Sequence, residues 1–363
     1  MPAAVIASAL FVSHSLVRYW MVVLRVDPIG LALTLAGLWV FLRFPRWWPV
    51  SIVLFTAAIF TKPTFIAAPF ACLLSLLMAK QFRKATSFAA TGIALGAAAL
   101  LVMQVWTHGA FWFDVFRTHP DPWRFSHYEL MFHYLVYGDP VLILIGIIAF
   151  GSLLLDRKFD LLTLYAICVT GTTVTAGKVG SNDNHLLELT AVLCILSSAG
   201  LAKWVRGAVP ARVGAYAACV LLAAWLVLQL RFAPATTPEP GCSLAYDTVR
   251  QSPSERILSE DVGALVLAGK PVWVSNPFVY GQLISSGEWS DEAVASRIRS
   301  HWFDLILLSE DATRYTDRWS PALRQDILAN YHLAGRFACE GAKAAYVPNS
   351  EDQPRSGGPD DIR

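Results

Sequence analysis

The stretch VSIVLFTAAIFTKPTFIAAPFACLLSLLMA, Val50–Ala79, decides how the rest of the chain is threaded. Its only charged residue is Lys62, and Pro63 follows at once. Proline disfavours helical backbone in the residue before it and cannot donate a helical hydrogen bond itself. The stretch is therefore predicted to form two helices, Val50–Thr61 and Pro63–Ala79, meeting at Lys62 below the level of the outer membrane surface. At about 1.5 Å per residue the first would span only about 18 Å. The alternative, a single helix bent at Lys62, would invert everything downstream.

The same apolar character extends on both sides. Further candidate helices are Val5–Val23, Asp27–Leu42, Thr86–Val105, Val141–Leu155, Leu161–Ala176, Leu186–Ala202 and Val213–Leu230, giving about nine spans of a hydrocarbon layer about 30 Å thick. Of 363 residues, 55% are hydrophobic and 15% charged, where soluble domains carry about 25% charge. From Phe232 onward the composition becomes that of an ordinary globular domain. The sequence thus reads as an α-helical polytopic membrane protein, residues 1–231, with a small C-terminal α/β soluble domain, residues 232–348. Residues 349–363, rich in Ser, Pro, Gly and Asp, read as a disordered tail. A net charge of +2 argues against a nucleic-acid partner; the lipid bilayer is the partner this composition requires.

Basic residues orient the bundle. One set of alternate loops holds Arg43, Arg46, Lys80, Arg83, Lys84, Arg157, Lys158, Lys203, Arg206 and Arg212. The other holds Arg25, Lys62, Arg117, Arg124 and Lys178, although it includes the longest loop. The richer set faces the cytoplasm, so residues 106–138 and 232–363 are expected outside. Trp112, Trp123, Phe125, Tyr128 and Tyr134 in the former suit a membrane interface, as a simple anchor or as a roof over a lateral entry for a lipid-linked substrate. Cys242 and Cys339, the only cysteines of the external domain, are free to pair in an oxidising compartment; two buried free thiols are the alternative.

Charges inside apolar segments are expensive and mark function more often than ornament. His14, Arg18 and Arg25, spaced by four and seven, fall on one helical face, leading to Asp27 at the outer surface. Such a stripe can bind an anionic headgroup and set a carboxylate beside it. The plainer reading has Arg25 snorkelling and Asp27 capping the next helix, though Arg18 lies about 10 Å deeper. Lys62, on the same side, is a phosphate ligand, a partner for Asp27 or an interfacial anchor. The turn Gly177–His185, with Lys178, also faces outward, and Asn184, His185 and Glu188 share a face. An acid and an imidazole there can bind a metal or a sugar hydroxyl; alternatively Asn182 or Asn184 caps the helix and Glu188 complements its dipole.

In the external domain, strands are expected at Arg256–Ser259, Lys270–Ser275, Phe303–Leu308, Tyr331–Phe337 and Ala344–Val347, and helices at Asp261–Ala268, Asp291–Ser300 and Ala322–Asn330. No glycine-rich phosphate loop or nucleophile elbow is present.

Several of these stretches resemble one family. Leu24-Arg-Val-Asp-Pro-Ile-Gly-Leu-Ala-Leu-Thr-Leu-Ala-Gly37 looks like the segment after the first luminal loops of bacterial GT-C glycosyltransferases, the family 39 and aminoarabinose-transferase-like enzymes that use polyprenyl-phosphate sugars. Phe60-Thr-Lys-Pro-Thr64 resembles their Thr-Lys-x-Thr turn, and Gly180-Ser-Asn-Asp-Asn-His-Leu-Leu-Glu188 a Gly-Ser-x-x-Asn-Tyr-x-x-Glu stretch of some members. Ile257–Asp261 through Asp304–Leu308 is similar to their external domain. The resemblance implies a GT-C-like bundle in a bacterial inner membrane with its C-terminal domain periplasmic. It implies transfer of a sugar from a polyprenyl-phosphate donor to an unidentified acceptor. By resemblance Asp27 takes the catalytic acidic position, preceded by Arg25; the reading of the polar residues adds Arg18, Lys62, Lys178, Asn184, His185 and Glu188 to Arg25 as substrate-binding residues, and a divalent metal ion as an optional cofactor. The family begins with a further helix and a loop carrying its principal catalytic acid, and this sequence starts after that loop; a misplaced start, or a truncated, inactive or complemented enzyme, is expected. A transporter or flippase of lipid-linked sugars and a non-catalytic membrane scaffold are the competing classes.

Overall fold

Lys62 ends a helix. In the computed structural model its backbone is extended, φ −157° and ψ 122°, as the residue before a proline prefers. Helix α4 accordingly stops at Thr61 and α5 starts at Ala67. The structure describes residues 2–22, 25–117, 122–156, 160–231, 240–309, 318–339 and 342–349. The expected tail, from residue 350 on, lies outside the described residues, as do Arg157 and Lys158. The chain divides into two compact units: Met1–Gly109 with Asp121–Pro234, and Ala110–Pro120 with Ala235–Arg363.

The first unit is helical. In chain order it contains α1 (Pro2–Ser13), α2 (Ser15–Val22), α3 (Asp27–Arg43), α4 (Trp48–Thr61), α5 (Ala67–Met78) and α6 (Phe82–Trp106). After α7 (Ala110–Trp112), which belongs to the second unit, come α8 (Phe125–Gly138), α9 (Pro140–Leu155), α10 (Leu161–Thr172), α11 (Leu187–Trp204) and α12 (Val209–Arg231). Each expected span contains helix, but among the described residues three segments are long and apolar enough to cross a membrane unaided: Phe82–Trp106, Asp183–Trp204 and Val209–Arg231. Counting two bent pairs as single spans raises the number to five. Helix α11 is buried along most of its length, whereas α6 is largely exposed.

The first expected span is not continuous. Helices α1 and α2 meet at 67° around His14. The cause is side-chain competition for backbone donors: His14 Nδ1 accepts the Leu16 N–H at 3.1 Å, and Gln229 Oε1 accepts the Ser15 N–H at 3.2 Å. The segment expected only as an external interfacial stretch contains α8, which meets α9 at 94° across Asp139.

Close helix contacts run through small residues, the pattern by which apolar helices approach closely. A Cβ at Gly30 would come within 2.3 Å of the Phe65 ring, and one at Gly37 within 2.5 Å of the Phe55 ring. These glycines hold α3 against α4 and the turn that follows it. On the other side of the bundle, Gly146 of α9 meets Leu193, and Gly200 of α11 meets Ala149.

The second unit is an α/β layer structure. It adds α13 (Pro240–Gln251), β1 (Ile257–Ser259), α14 (Val262–Leu267), α15 (Pro277–Ser285), α16 (Glu292–Arg299), β2 (Leu305–Ser309), α17 (Pro321–Asn330), β3 (Tyr331–Ala338) and β4 (Ala342–Pro348). The strand order is β1-β2-β4-β3. β1 and β2 are parallel, and β4 is antiparallel to both of its neighbours. The parallel pair is covered on both faces, which explains its uninterrupted apolar run. Leu258, Ile306 and Leu308 pack with α16 and α17, while Ile257, Leu305 and Leu307 pack with α13 and α14. Lys270–Ser275, expected as a strand, is irregular, and α13 and α15 stand where no helix was expected. Cys242 and Cys339 are disulfide-bonded with Cα atoms 4.7 Å apart, tying α13 to the end of β3.

Candidate functional site

Asp27 is the first residue of α3, with Pro28 next to it, where a missing N–H costs nothing. Asp27 is 2% exposed. Its position complements the positive end of the α3 dipole, and Lys62, just past the C-terminus of α4, complements the negative end of that helix. Tight packing through Gly30 brings these two helix ends together. The Lys62 ammonium donates to Asp27 Oδ1 at 2.6 Å.

Asn184 completes the clamp. It lies in the 3-10 turn Asp183–Leu186 that leads into α11, and its Nδ2 donates to both oxygens of Asp27, at 3.1 and 3.0 Å. Asn184 is therefore a ligand of Asp27 and not a helix cap. Asn182, the other expected cap, makes no side-chain capping bond. Glu188 lies one turn on, 7% exposed, and accepts from the Tyr165 hydroxyl at 2.8 Å. Glu188 and Arg25 both act electrostatically on the Lys62 ammonium. His185 senses Lys62, Asp27 and Arg25, and its Nδ1 is 3.1 Å from the Thr175 hydroxyl. The Arg25 guanidinium rests 5.2 Å from the Trp20 ring centre.

Arg18 does not join this group. Because the helix breaks at His14, α2 turns, and the Arg18 guanidinium donates to the Gln229 carbonyl oxygen on α12 at 2.5 Å. His14 Nε2 contacts Asp139 at 2.7 Å, and Gln229 Nε2 donates to Asp139 at 3.1 Å. The stripe expected from His14 to Arg25 is thus divided, His14 and Arg18 forming a second polar cluster with α12 and the α8–α9 junction. Lys178 is exposed on its turn and stays outside the clamp; its backbone pairs with Trp123. That turn is a seat for the indole, since a Cβ at Gly177 would lie 2.2 Å from Trp123 Nε1, which donates to the Val174 carbonyl at 2.8 Å.

Among the described residues no group of three His, Cys, Asp or Glu side chains could hold a metal ion. The optional divalent ion therefore has no ready-made site among them, and the chemistry available at Asp27 is that of a carboxylate between two nitrogen donors. Chemically, such a group can accept a proton if the ammonium is drawn away, and the ammonium can serve an anion instead.

No protein-family model matches the chain, and no curated protein sequence matches it.

Sequence reasoning overlooked Tyr165, Asp139, Asp183 and Gln229. Asp183 accepts from the Trp20 indole at 2.9 Å and so links α2 to the turn carrying Asn184. Gln229, two residues from the end of an apolar helix, was the one readable signal, since an amide there needs partners.

Proposed function

We propose that this chain is a membrane-embedded glycosyltransferase of the GT-C kind, acting on a polyprenyl-phosphate sugar at the outer face of a bacterial inner membrane. The observation that carries the reading is the buried clamp of Lys62 and Asn184 on Asp27, at the meeting ends of apolar helices, with Arg25, His185 and Glu188 around it. A carboxylate and an ammonium so placed are costly in an apolar bundle and call for a task. The donor phosphate competes with Asp27 for Lys62, with Arg25 as a second cation. As Lys62 moves to the phosphate, one Asp27 oxygen is released while Asn184 keeps the carboxylate oriented. The acceptor hydroxyl oxygen then forms a bond to the anomeric carbon, and its proton passes to Asp27. The bond from that carbon to the phosphate oxygen breaks, and the leaving polyprenyl phosphate keeps the electron pair under the cations.

The test is sugar transfer by the purified chain in nanodiscs containing a polyprenyl-phosphate sugar. Asp27→Asn should abolish transfer with expression and insertion intact; Arg25→Ala should chiefly weaken donor binding. Transfer that persists in Asp27→Asn refutes the reading. Sidedness is tested separately by reporter fusions at Arg206 and Ala235, which should report opposite faces.

A second reading is favoured by the completeness of the clamp: both oxygens of Asp27 already have partners. On that reading the chain is a scaffold whose clamp only joins helices. It predicts that the wild-type chain leaves polyprenyl-phosphate sugars unbound and that Asp27→Asn affects stability alone.

A further inference from the structure

His14 does for α2 what a capping residue does at the start of a helix. It stands immediately before Ser15, and its Nδ1 accepts the N–H of Leu16, the second residue of α2, at 3.1 Å. A cap must present an acceptor at that place. Nδ1 therefore carries a lone pair, and the one proton of the neutral ring sits on Nε2. Nε2 lies 2.7 Å from Asp139 Oδ2 without the alignment of a hydrogen bond. His14 is 1% exposed and Asp139 4%, so ring and carboxylate meet away from water.

The groups around the ring decide how it responds to a second proton. Asp139, at the α8–α9 junction, favours the imidazolium. Arg18, one turn along α2, opposes it, and its guanidinium donates to the Gln229 carbonyl. From α12 come the neutral side chains of Gln229 and Trp225, the latter's ring centre 5.6 Å from that of the imidazole. From α11 comes the Cys194 thiol, within electrostatic reach of Asp139. Ser15, Leu16 and Asp139 also line a cavity of about 340 Å³, with Tyr19, Tyr134 and the Asp183 carboxylate. That cavity gives protons from solvent a way to the cluster.

We infer that the α1–α2 elbow is a proton-operated hinge: a second proton on His14 removes the acceptor from the Leu16 amide, uncaps α2 and unbends the elbow. An imidazolium has N–H groups on both nitrogens, so Nδ1 and the Leu16 amide become two donors facing each other. The same proton sets a positive charge at the positive end of the α2 dipole, while Asp139 holds that charge in place. The nearest other acceptor for Leu16 in an apolar bundle is the ordinary i−4 carbonyl, that of Val12. Taking it continues α1 into α2. α1 packs along α11 and against α12, whereas α2 touches α3 and the turn carrying Asn184, so α2 is the arm that swings. It carries Trp20, whose indole donates to Asp183 at 2.9 Å and supports Arg25. Unbending therefore draws Arg25 away from Lys62, on which it acts. This last effect bears on sugar transfer only under the function proposed above; the hinge itself does not depend on it.

Histidine is the side chain that ordinarily changes charge between about pH 8 and pH 5, which sets the range of the test. Nitroxide labels at Val5→Cys and Val22→Cys, both exposed positions, report the elbow by double electron–electron resonance. The sample is the full chain in lipid nanodiscs, with Cys168→Ser and Cys219→Ser. At about 1.5 Å per residue and a 67° bend the two positions lie about 21 Å apart, against about 25 Å in a straight helix. The shorter distance should dominate at about pH 8, and a population longer by about 4 Å should grow in by about pH 5. His14→Asn supplies a capping oxygen and takes up no proton, so it should keep the shorter distance throughout. Asp139→Asn should move the change to lower pH. A wild-type distance that ignores pH, a change that persists in His14→Asn, or a midpoint unmoved in Asp139→Asn would overturn the hinge. Loss of transfer in Asp27→Asn leaves these distances untouched, so the two proposals fail separately.

Discussion

Replacing Lys62 by Met removes the charge opposite Asp27 while keeping most of the side-chain volume. Breaking a buried ion pair from one side typically costs about 3–5 kcal/mol, because the remaining charge is stranded. Here the cost is smaller for two structural reasons. Asn184 still donates to both Asp27 oxygens, and the Lys62 side chain is 15% exposed, so water reaches part of the pair. We therefore expect Lys62→Met to destabilise the bundle by about 2–3 kcal/mol. Asp27→Asn leaves an ammonium that can turn to water, and should cost about 1–2 kcal/mol. The double variant has no stranded charge and should cost no more than about 1 kcal/mol, giving a coupling of roughly 2–5 kcal/mol. Reversible unfolding of the micelle-bound protein by increasing fractions of SDS measures all three. Strict additivity, with the double variant as unstable as the sum of the singles, would refute the clamp as an energetic unit.

Three further outcomes follow from the packing and chemistry. Gly30→Leu should destabilise the first unit by about 2 kcal/mol or more through overpacking, since its Cβ alone falls 2.3 Å from the Phe65 ring and 2.6 Å from the Thr61 hydroxyl; the same SDS titration reads it. Reducing Cys242–Cys339, 97 residues apart in sequence, should cost the C-terminal unit about 4–5 kcal/mol on the chain-entropy estimate, seen as a lower melting temperature with reductant; full alkylation of both thiols without reductant would exclude the bond in the native protein. Tyr280 and Tyr331, both pushed up to about 12 chiefly by burial, keep their protons when the unfolded chain, with phenols near 10, has lost them. The folded state then binds more protons, so this unit should lose stability as pH rises from about 10 to 12 and not below, and Tyr280→Phe/Tyr331→Phe should flatten that fall in a melting series.

What could be read in advance was local. The helix break at Lys62 follows from Pro63 alone, and two opposite charges at the ends of neighbouring apolar helices were natural partners. Asn184 was harder, because an asparagine before a helix is ordinarily a cap, and only the approach of α3 turns it toward Asp27. The bend at His14 was not legible at all: it depends on Gln229 and Asp139, and neither proline nor glycine stands between Ala3 and Val22 to mark a break. In the C-terminal unit, α13 opens on Pro240-Gly241, which reads as linker. A Cβ at Gly241 would lie 2.0 Å from the Ala338 carbonyl oxygen, so the glycine serves a close approach to β3. α15, with Phe278, Val279, Tyr280 and a glycine, has strand-like content, although Asn276 and Pro277 announced a helix start.

The bend at His14 also sets an order of events during synthesis. Ser15 N–H and its acceptor Gln229 are 214 residues apart. At roughly 5–20 residues per second, about 10–40 s separate their emergence from the ribosome. In that interval the Ser15 amide lacks its distant partner, while His14 Nδ1, two residues before Leu16, is present from the start. The nascent N-terminal segment then lacks one of the two contacts that bend it. The full bend is set only when α12 supplies Gln229, so a chain stopped before Gln229 should be less bent at His14.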